Sequence, residues 1–524
     1  MIINTKQILA MNEELEKFLN AAPPAHRKLF EDIAGLGMGG VFVKYLYKQK
    51  KEAFLKFFKD LSLVNLDFVK LHKTRLMAGA QEAIKFRDIE PIEFRHPQSR
   101  AELEAAGNES LNAGECAVLT FAGGSSTRFS SGKPEFAKGL FKILPVSGMN
   151  FLEYFACEML ETAISAGRMP VWLIMTSSAT ERPIKRWINN SHLSGFPKSA
   201  IIIFRQGENP RLDMDGDLIV DSDGSLILTG DGHGGAFNAL AKKDLPVLST
   251  LDELKKIGVK DISMHNVDNL FSRPCDPARI GFHRMHENLF TMSAVPRVNP
   301  DEKVGIFAYR NDRRCIDVIE YSVCPDEVKK AVDGRTGSLL FPLCHINSNI
   351  VSVGAMDHRI EPTIYTNKAV RVSDMEIASS SLEFLNQHLS RALPPERVGV
   401  YEVARGDFFL PTKNLKGEDS VETTQKTALR HWADVIEKCG GRVERDDAGE
   451  PLAAIELHPC LGRDLDDIRK TGIGRDWEIR KGARVFIGVR YGVDSEPFQP
   501  GLVMEEDSQL IITAELPYGR PRFP

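Results

Sequence analysis

Hydrophobic positions divide this chain into three successive patterns. Residues 1 to about 108 repeat apolar side chains at helical spacing, with one stripe formed by Phe54, Phe57, Phe58, Leu61 and Val64. From residue 114 onward, short apolar runs alternate with longer amphipathic segments. The runs predict strands at 117–121, 171–175, 200–204 and 261–266, and the segments predict helices at 151–166, 180–190 and 236–245. Beyond residue 430, a helix at 429–438 precedes predicted strands at 483–489 and 509–514.

These patterns predict an α/β protein with more than one domain. Strands that alternate with helices form a largely parallel sheet, which binds ligands beyond the carboxyl ends of its strands. The 524 residues exceed what one hydrophobic core normally holds. We therefore expect an α-helical region at 1–108, a catalytic domain at 109–428 and a small β-rich domain at 429–524.

Two segments allow a structural and a functional interpretation. The aromatic stripe at 54–64 is either packed against the neighbouring domain or exposed for a partner, and packing is favoured because exposed apolar stripes are uncommon. Residues 213–228 contain repeated Asp-Gly turns between apolar pairs, which favours a hairpin insertion. The acids there resemble a calcium loop, but the spacing and the terminal glutamate of an EF-hand are missing.

Composition narrows the class of protein. A net charge of −5 argues against a general nucleic-acid binder. The 8 cysteines contain no C-x-x-C pair and no zinc spacing, which is typical of reduced thiols in a cytoplasmic protein. Neither a signal peptide nor a membrane-spanning run is expected, since the apolar stretch at 33–43 is too short and rich in glycine. The oligomeric state is not readable.

The stretch from Val118 to Phe141 carries the most chemistry. A β-prone apolar run ends at Ala122, Gly123 and Gly124, and cations follow at Arg128, Lys133 and Lys138. Glycines let backbone N–H groups approach a polyphosphate, and the cations supply charge for its outer phosphates. By itself this pattern is equally compatible with a plain strand-to-helix corner, and it matches neither a Walker loop nor G-x-G-x-x-G.

This stretch, read as A-G-G-x-x-T-R followed by K-G-L-F, resembles the signature of the UDP-sugar pyrophosphorylase family. Further segments match that family in the same order, over roughly residues 115–430. They are WLIMTS at 172–177, FRQGENP at 204–210, GDGHGGAFNAL at 230–240, HNVDN at 265–269, HINSN at 345–349 and FFLPTKN at 408–414. The resemblance implies a nucleotidyltransferase fold, a Rossmann-like mixed sheet flanked by helices.

The implied activity is UTP-dependent uridylyl transfer to a sugar 1-phosphate, which gives UDP-sugar and pyrophosphate. Such a transfer needs alignment and charge stabilisation but no side-chain nucleophile. By resemblance, Arg128, Lys138 and Lys413 contact the phosphates, with Lys133 an alternative to Lys138 because this loop is longer than in relatives. Asp268, at the end of a predicted strand, would hold Mg²⁺ against the triphosphate.

The same resemblance assigns the base and the sugar. The nucleotide-binding residues are Ala122, Gly123, Gly124, Gln206 and Gly232. Gln206 offers both a donor and an acceptor to the imide edge of uracil. The sugar-binding residues are His233, Asn347 and Asn349, whose side chains can hydrogen bond to hydroxyl groups.

The sugar itself is assigned from one departure. Relatives that use N-acetylhexosamine phosphates tend to read G-N-G where this chain has Gly232-His233-Gly234, so glucose-1-phosphate or a related hexose phosphate is favoured. FRQGENP and the run at 423–432 resemble the hexosamine branch, which keeps a UDP-N-acetylglucosamine pyrophosphorylase as the alternative. A nucleotide-sugar binding module without turnover, and transfer to a protein or lipid acceptor, are further alternatives.

Overall fold

The computed structural model describes residues 5–47, 49–79, 84–92, 98–124, 136–242, 249–373, 375–462, 465–491, 502–505 and 508–516. Its α-helices are α1 (Thr5–Met11), α2 (Glu13–Ala21), α3 (Pro24–Gly35), α4 (Gly40–Lys44), α5 (Lys51–Leu61), α6 (Leu66–Met77), α7 (Arg100–Ala113), α8 (Phe151–Ala166), α9 (Glu181–Asn190), α10 (Gly235–Ala241), α11 (Thr250–Lys256), α12 (Pro277–Met285), α13 (Asp326–Lys329), α14 (Arg405–Phe408), α15 (Val421–Lys438) and α16 (Leu465–Lys470).

The strands are β1 (Ile89–Glu90), β2 (Cys116–Phe121), β3 (Trp172–Thr176), β4 (Ile201–Arg205), β5 (Glu208–Pro210), β6 (Leu212–Asp213), β7 (Leu228–Gly230), β8 (Asp261–Asn266), β9 (Phe290–Pro296), β10 (Gly305–Arg310), β11 (Cys315–Ile319), β12 (Leu343–Ser352), β13 (Thr363–Val372), β14 (Met375–Glu383), β15 (Val398–Glu402), β16 (Arg442–Val443), β17 (Ala454–Leu457), β18 (Glu478–Ile479), β19 (Arg484–Tyr491), β20 (Val503–Met504) and β21 (Gln509–Leu516).

The chain separates into two compact units. Unit 1 contains residues 1–84, 206–239 and 360–388, and unit 2 contains residues 85–205, 240–359 and 389–524. Each unit is thus assembled from separate segments of the chain. The boundaries predicted at residues 108 and 428 follow changes of pattern rather than contacts, and they stay a prediction.

The core of unit 1 joins its amino-terminal helices to later segments. Phe54, Phe57 and Phe58 of α5 are buried, and they share one apolar cluster with Leu226 and with Leu382 of β14. The aromatic stripe is therefore packed inside unit 1, as favoured above. The hairpin insertion contributes apolar side chains from alternate positions to the same cluster.

Residues 212–228 form two successive tight turns with irregular pairing between them. Leu212 bridges to Leu218 and Val220 bridges to Leu226, both antiparallel. At the first turn, Asp213 Oδ1 accepts hydrogen bonds from the backbone N–H groups of Asp215 and Asp217 at 3.0 and 2.9 Å. These acids stabilise their own turns, which fits the predicted hairpin insertion.

Unit 2 is built on a mixed sheet, to which the described residues contribute ten strands. Strands β8, β2, β3 and β4 are parallel neighbours, while β12 pairs antiparallel with β8 and β9, and β10 pairs antiparallel with β12. Helices cover the sheet, so the predicted α/β fold with a mixed sheet is confirmed. The parallel half places the carboxyl ends of β2 and β8 side by side, with Phe121 opposite Asn266.

Helix α8 shows how local sequence positions the layer beside this sheet. Asn150 caps it by accepting a hydrogen bond from the backbone N–H of Glu153 at 2.9 Å, and Gly167 ends it with φ +68°. An asparagine cap satisfies an N–H that the helix leaves unpaired, and glycine adopts this left-handed conformation without steric cost. The apolar face of α8 then packs into the largest cluster of unit 2, which also takes in the small three-stranded sheets at 442–516.

Candidate active site

Two buried parallel strands carry the predicted nucleotide loop and the predicted metal ligand to one edge of the sheet. Ala122, directly after β2, is fully buried and donates its backbone N–H to Met175 O at 2.8 Å. Gly123 and Gly124 follow and are progressively more exposed. Asp268 lies two residues after β8. Arg128 and Lys133 lie outside the described residues, so their predicted roles stay predictions.

Lys138 and Asp268 are in direct contact. The Lys138 amine lies 2.6 Å from Asp268 Oδ2, and the two side chains are only 11% and 20% exposed. A mostly buried pair of this kind gains Coulomb energy that solvent screens less than at the surface. The structure therefore brings together two residues that the sequence assigned separately, to phosphate and to metal.

Asn347 lies beside the same strand end. Its Nδ2 donates to Asn266 Oδ1 at 2.8 Å, and its φ of +51° accompanies a bulge in the pairing of β12 with β9. Asn349 is fully buried; its Oδ1 lies 2.9 Å from His345 Nε2 and its Nδ2 donates to Asn347 Oδ1 at 3.4 Å. The geometry thus makes Asn349 a support for Asn347, while the bulge turns Asn347 toward Asn266.

Lys413 is held next to the Asp268 turn by backbone pairing. Thr412 donates its backbone N–H to Asp268 O at 2.9 Å, and Leu270 donates to Leu410 O at 3.1 Å. The Lys413 amine pairs with Asp419 at 3.0 Å and its side chain is 45% exposed. These backbone hydrogen bonds fix the position of the Lys413 main chain, while the long Lys413 side chain stays accessible to an anion.

Sequence reasoning missed the buried polar chain beneath this edge. Trp172 Nε1 donates to Thr120 Oγ1 at 2.9 Å, and His265 joins that hydroxyl to the Ser272 hydroxyl, each at 2.7 Å. Burial lowers the pKa of His265 to about 3, so the ring is neutral and serves as a hydrogen-bonding spacer. The HNVDN motif carried the signal, but periodicity does not show that a strand histidine faces inward.

Asn269 is a second residue that sequence reasoning missed. Its amide donates to Phe408 O at 2.9 Å and accepts from the backbone N–H of Leu410 at 2.7 Å. One side chain therefore satisfies the backbone on the segment that leads to Lys413. The sequence signal that could have identified Asn269 is its position next to Asp268 in the HNVDN motif.

The remaining predicted residues lie in unit 1, around the Asp231 loop. Gly232 has φ +88°, and a Cβ there would lie 2.3 Å from Phe384 O, so only glycine fits. His233 Nδ1 accepts the backbone N–H of Asn386 at 3.1 Å, which places the ring proton on Nε2. Gln206 packs against Gly230, where a Cβ would lie 2.0 Å from its amide nitrogen.

Asp231 is buried in this loop, and its carboxylate hydrogen bonds to the backbone through one oxygen but not through the other. It is 6% exposed, and its Oδ1 has no hydrogen-bond partner within the described part of the chain. Burial raises the pKa of Asp231 to about 7, and the nearby Glu208 and Glu383 act in the same direction. This environment could not be predicted, because an aspartate before glycine is typical of an ordinary turn.

Replacing Asp231 with asparagine is expected to flatten the pH dependence of stability in unit 1. Since the raised pKa favours the protonated folded form, its stabilising effect is complete below about pH 4 and is lost as the pH rises through 7. Hydrogen exchange at pH 5 and pH 8 measures the free energy of opening of residues 228–241. The difference between the two pH values should be smaller in Asp231→Asn than in the native chain, by on the order of 1–4 kcal/mol. The exposed Asp67→Asn serves as the control, and equal slopes in both variants would contradict this assignment.

Comparison with known proteins decides the family. A family model described as UTP–glucose-1-phosphate uridylyltransferase matches residues 66–417. The chain belongs to this family. The predicted enzyme class, a UTP-dependent uridylyltransferase acting on a sugar 1-phosphate, is confirmed with it.

Relatives and a solved structure extend this finding over most of the chain. A probable UDP-N-acetylglucosamine pyrophosphorylase of Dictyostelium discoideum is 28% identical over 481 residues, which cover 84% of this chain and 95% of that protein. UDP-N-acetylglucosamine diphosphorylase 2 of Arabidopsis thaliana is 24% identical, covering 79% and 86%. The Trypanosoma brucei UDP-N-acetylglucosamine pyrophosphorylase structure has a TM-score of 0.69 at 21% identity, covering 86% and 95%, and shows the shared fold.

Two further features are absent from the residues that the structure describes. No helix in that part of the chain is long and apolar enough to cross a membrane. No group of three or more His, Cys, Asp or Glu side chains there could hold a metal ion by itself.

Proposed function

We propose that this enzyme joins UTP to N-acetylglucosamine-1-phosphate, giving UDP-N-acetylglucosamine and pyrophosphate. The observation that carries the proposal is the likeness to pyrophosphorylases named for that sugar over 84% of the chain. The preference for glucose-1-phosphate, which rested on His233 alone, is not confirmed, and the relatives favour the alternative. FRQGENP and the 423–432 run support the same sugar.

The described residues of unit 2 suit in-line transfer without a covalent intermediate. A phosphate oxygen of the sugar 1-phosphate attacks the α-phosphorus of UTP, while the bond from that phosphorus to the β-phosphate oxygen breaks. The product is UDP-sugar, and the electron pair leaves with pyrophosphate. In this proposal Lys413 faces the transferring phosphate and Lys138 faces the leaving phosphates, so that positive charge lies where negative charge develops.

We also propose that Asp268 holds Mg²⁺. Magnesium accepts one or two carboxylates and completes its octahedral shell with phosphates and water, which fits a site with a single described carboxylate. When bound, the ion would neutralise charge on the triphosphate. The Lys138 amine pairs with Asp268 Oδ2 at 2.6 Å. When the carboxylate binds the metal, the amine would be free to pair with a phosphate oxygen instead.

The test is pyrophosphate release from UTP and Mg²⁺ with 1-phosphates of N-acetylglucosamine, glucose, galactose and glucuronate. We expect kcat/KM for N-acetylglucosamine-1-phosphate to exceed that for the others by at least about 10-fold, the size of one well-placed polar contact. A signal confined to the sugars without an acetyl group would restore His233 as the marker of a glucose enzyme. UTP binding without turnover of any sugar would favour the binding module instead.

A further inference from the structure

A cavity of about 620 Å³ lies within unit 2 and involves none of the residues assigned to catalysis. Its walls come from α7, α8, the loop before α12, α14, α15 and the segments at 457–462 and 465–468. Apolar side chains form much of the lining, including Phe271, Trp432, Val435 and Leu457. The volume is in the range of pockets that bury a small organic molecule.

Arg273 supplies an unpaired positive charge to this cavity. Its guanidinium lies 5.3 Å from the ring centre of Phe408, and it makes no ion pair or side-chain hydrogen bond with the described residues. Arg100, another lining cation, is engaged by Glu104 at 2.6 Å. An arginine fork that is presented in a pocket without a carboxylate partner is suited to bind an oxyanion.

The backbone holds Arg273 in this position at a cost. Its φ of +42° is in the left-handed region that non-glycine residues rarely adopt. The buried Arg279 supports the loop by donating from Nη1 to Ser272 O at 3.3 Å and to Arg273 O at 3.1 Å. Unfavourable backbone conformations that persist under such support are concentrated at functional sites.

Two further polar groups face the cavity from α8. Glu158 Oε2 is buried without a hydrogen-bond partner, and the Tyr154 hydroxyl makes no hydrogen bond within the described part of the chain. Burial raises the pKa of Glu158 to about 8, with the nearby Arg273 opposing and Glu161 adding to the shift. Near neutral pH the carboxyl is therefore protonated, and it can donate a hydrogen bond as the tyrosine does.

Several of the acids in the lining already have local partners. Glu104 pairs with Arg100, Asp276 caps α12 by accepting from the N–H of Arg279 at 2.9 Å, and Asp466 pairs with Arg469 at 3.2 Å. Other titratable groups also line the cavity around Glu158. They are Glu161 on α8, Cys275 before α12, Asp407 on α14, His431 and Lys438 on α15, and His458.

We propose that this cavity is a second binding site, for a small organic oxyanion with an apolar body. The anionic head pairs with Arg273 and accepts hydrogen bonds from Tyr154 and Glu158, while the body packs on Phe271 and Trp432. Carboxylates and phosphate monoesters share this chemistry. The site is separate from the catalytic residues, so its occupation does not depend on which sugar the enzyme uses.

The cavity is also connected to the proposed catalytic residues through the backbone. Phe271 directly follows Leu270, which pairs with Leu410, and Phe408 lies two residues before Leu410. The Asn269 side chain bonds to Phe408 O and to the N–H of Leu410, which fixes the two segments to each other. A ligand that presses on these two rings therefore acts on the segments that carry Asp268 and Lys413. This coupling rests on the proposed function, whereas binding itself does not.

The test is calorimetric titration of the full chain with four probes that share a phenyl ring: 3-phenylpropionate, phenyl phosphate, phenethyl alcohol and phenethylamine. We expect an anion to bind, and the two anions separate a carboxylate site from a phosphate site. Arg273→Met should weaken that binding at least tenfold, while the exposed Arg359→Met should leave it unchanged. Glu158→Gln should keep binding at pH 7 and remove the loss of affinity expected for the native chain above pH 8.

Three outcomes overturn the proposal. The first is binding of phenethylamine as tight as that of the anions, which would make Glu158 the anionic partner of a cation. The second is anion binding that Arg273→Met does not change, and the third is no binding of either anion. Thermal unfolding of each variant shows whether a lost signal reflects lost folding, and these readouts are independent of pyrophosphate release.

Discussion

Replacing Asp268 with asparagine is expected to lower kcat/KM for UDP-sugar formation by roughly 100-fold or more, because the Mg²⁺ proposed there would lose its protein carboxylate. The magnesium concentration that gives half-maximal rate should rise in the same variant. Magnesium titration of the rate measures both effects, and Mn²⁺ binding in the presence of UTP, followed by electron paramagnetic resonance, reports the metal without turnover. An unchanged titration would remove Asp268 from the metal site.

The same substitution also leaves Lys138 without its partner at 2.6 Å. Removing one member of a mostly buried pair destabilises the fold, so a loss of activity needs a control for stability. The double variant Lys138→Met with Asp268→Asn removes both charges. If the double variant regains thermal stability while its magnesium dependence stays weak, the effect on the metal is separate from the loss of the ion pair. The exposed Asp301→Asn is the control for a general effect of replacing an aspartate.

Lys413→Ala is expected to cost at least about 2 kcal/mol of transition-state stabilisation, roughly a 30-fold loss in kcat/KM. The lysine is partly exposed, and its backbone is fixed by the bond from Thr412 to Asp268, so the truncation should change charge more than structure. Steady-state pyrophosphate release measures the effect. The loss should fall mainly on kcat if the contact strengthens in the transition state.

A matched control distinguishes the effect of losing the Lys413 amine from the effect of altering the loop around it. Asp419 pairs with Lys413 at 3.0 Å, and Asp419→Asn leaves the lysine in place without its partner. We expect that variant to keep turnover within a few-fold of the native rate, since an exposed pair contributes on the order of 0–1 kcal/mol. Turnover that Lys413→Ala does not change would exclude the lysine from the mechanism.

Elements with strong local signals could be predicted from the sequence. The strand expected at 261–266 is β8, and the helix expected at 151–166 is α8, whose ends Asn150 and Gly167 mark. The helix expected at 429–438 begins earlier, at Val421. Its first turns carry threonine and glutamine, and buried Thr424 bonds to Thr412 at 2.8 Å. Polar burial of this kind gives no hydrophobic periodicity.

The candidate site could be predicted only as separate residues. Motifs pointed to Lys138, Asp268 and Asn347, but their contacts depend on the register of β2, β8 and β12, which lie far apart in sequence. The supporting groups His265 and Asn269 could not be assigned, because a buried side chain that bonds to backbone or hydroxyl looks like any polar residue in the sequence. The cavity around Arg273 likewise depends on long-range packing.

The assembly of unit 1 from three segments has a consequence for synthesis. Phe54, Phe57 and Phe58 leave the ribosome long before Leu226 and Leu382, which complete their cluster. At about 5–20 residues per second, the aromatic face waits on the order of tens of seconds for its last partner. During that interval these rings can pack against Phe18 and Phe42 of the amino-terminal helices, while the apolar surface that Leu226 and Leu382 later cover stays exposed. Chaperones bind exposed apolar surface of this kind, so production of this enzyme should depend on chaperone capacity more than the stability of the finished protein would suggest.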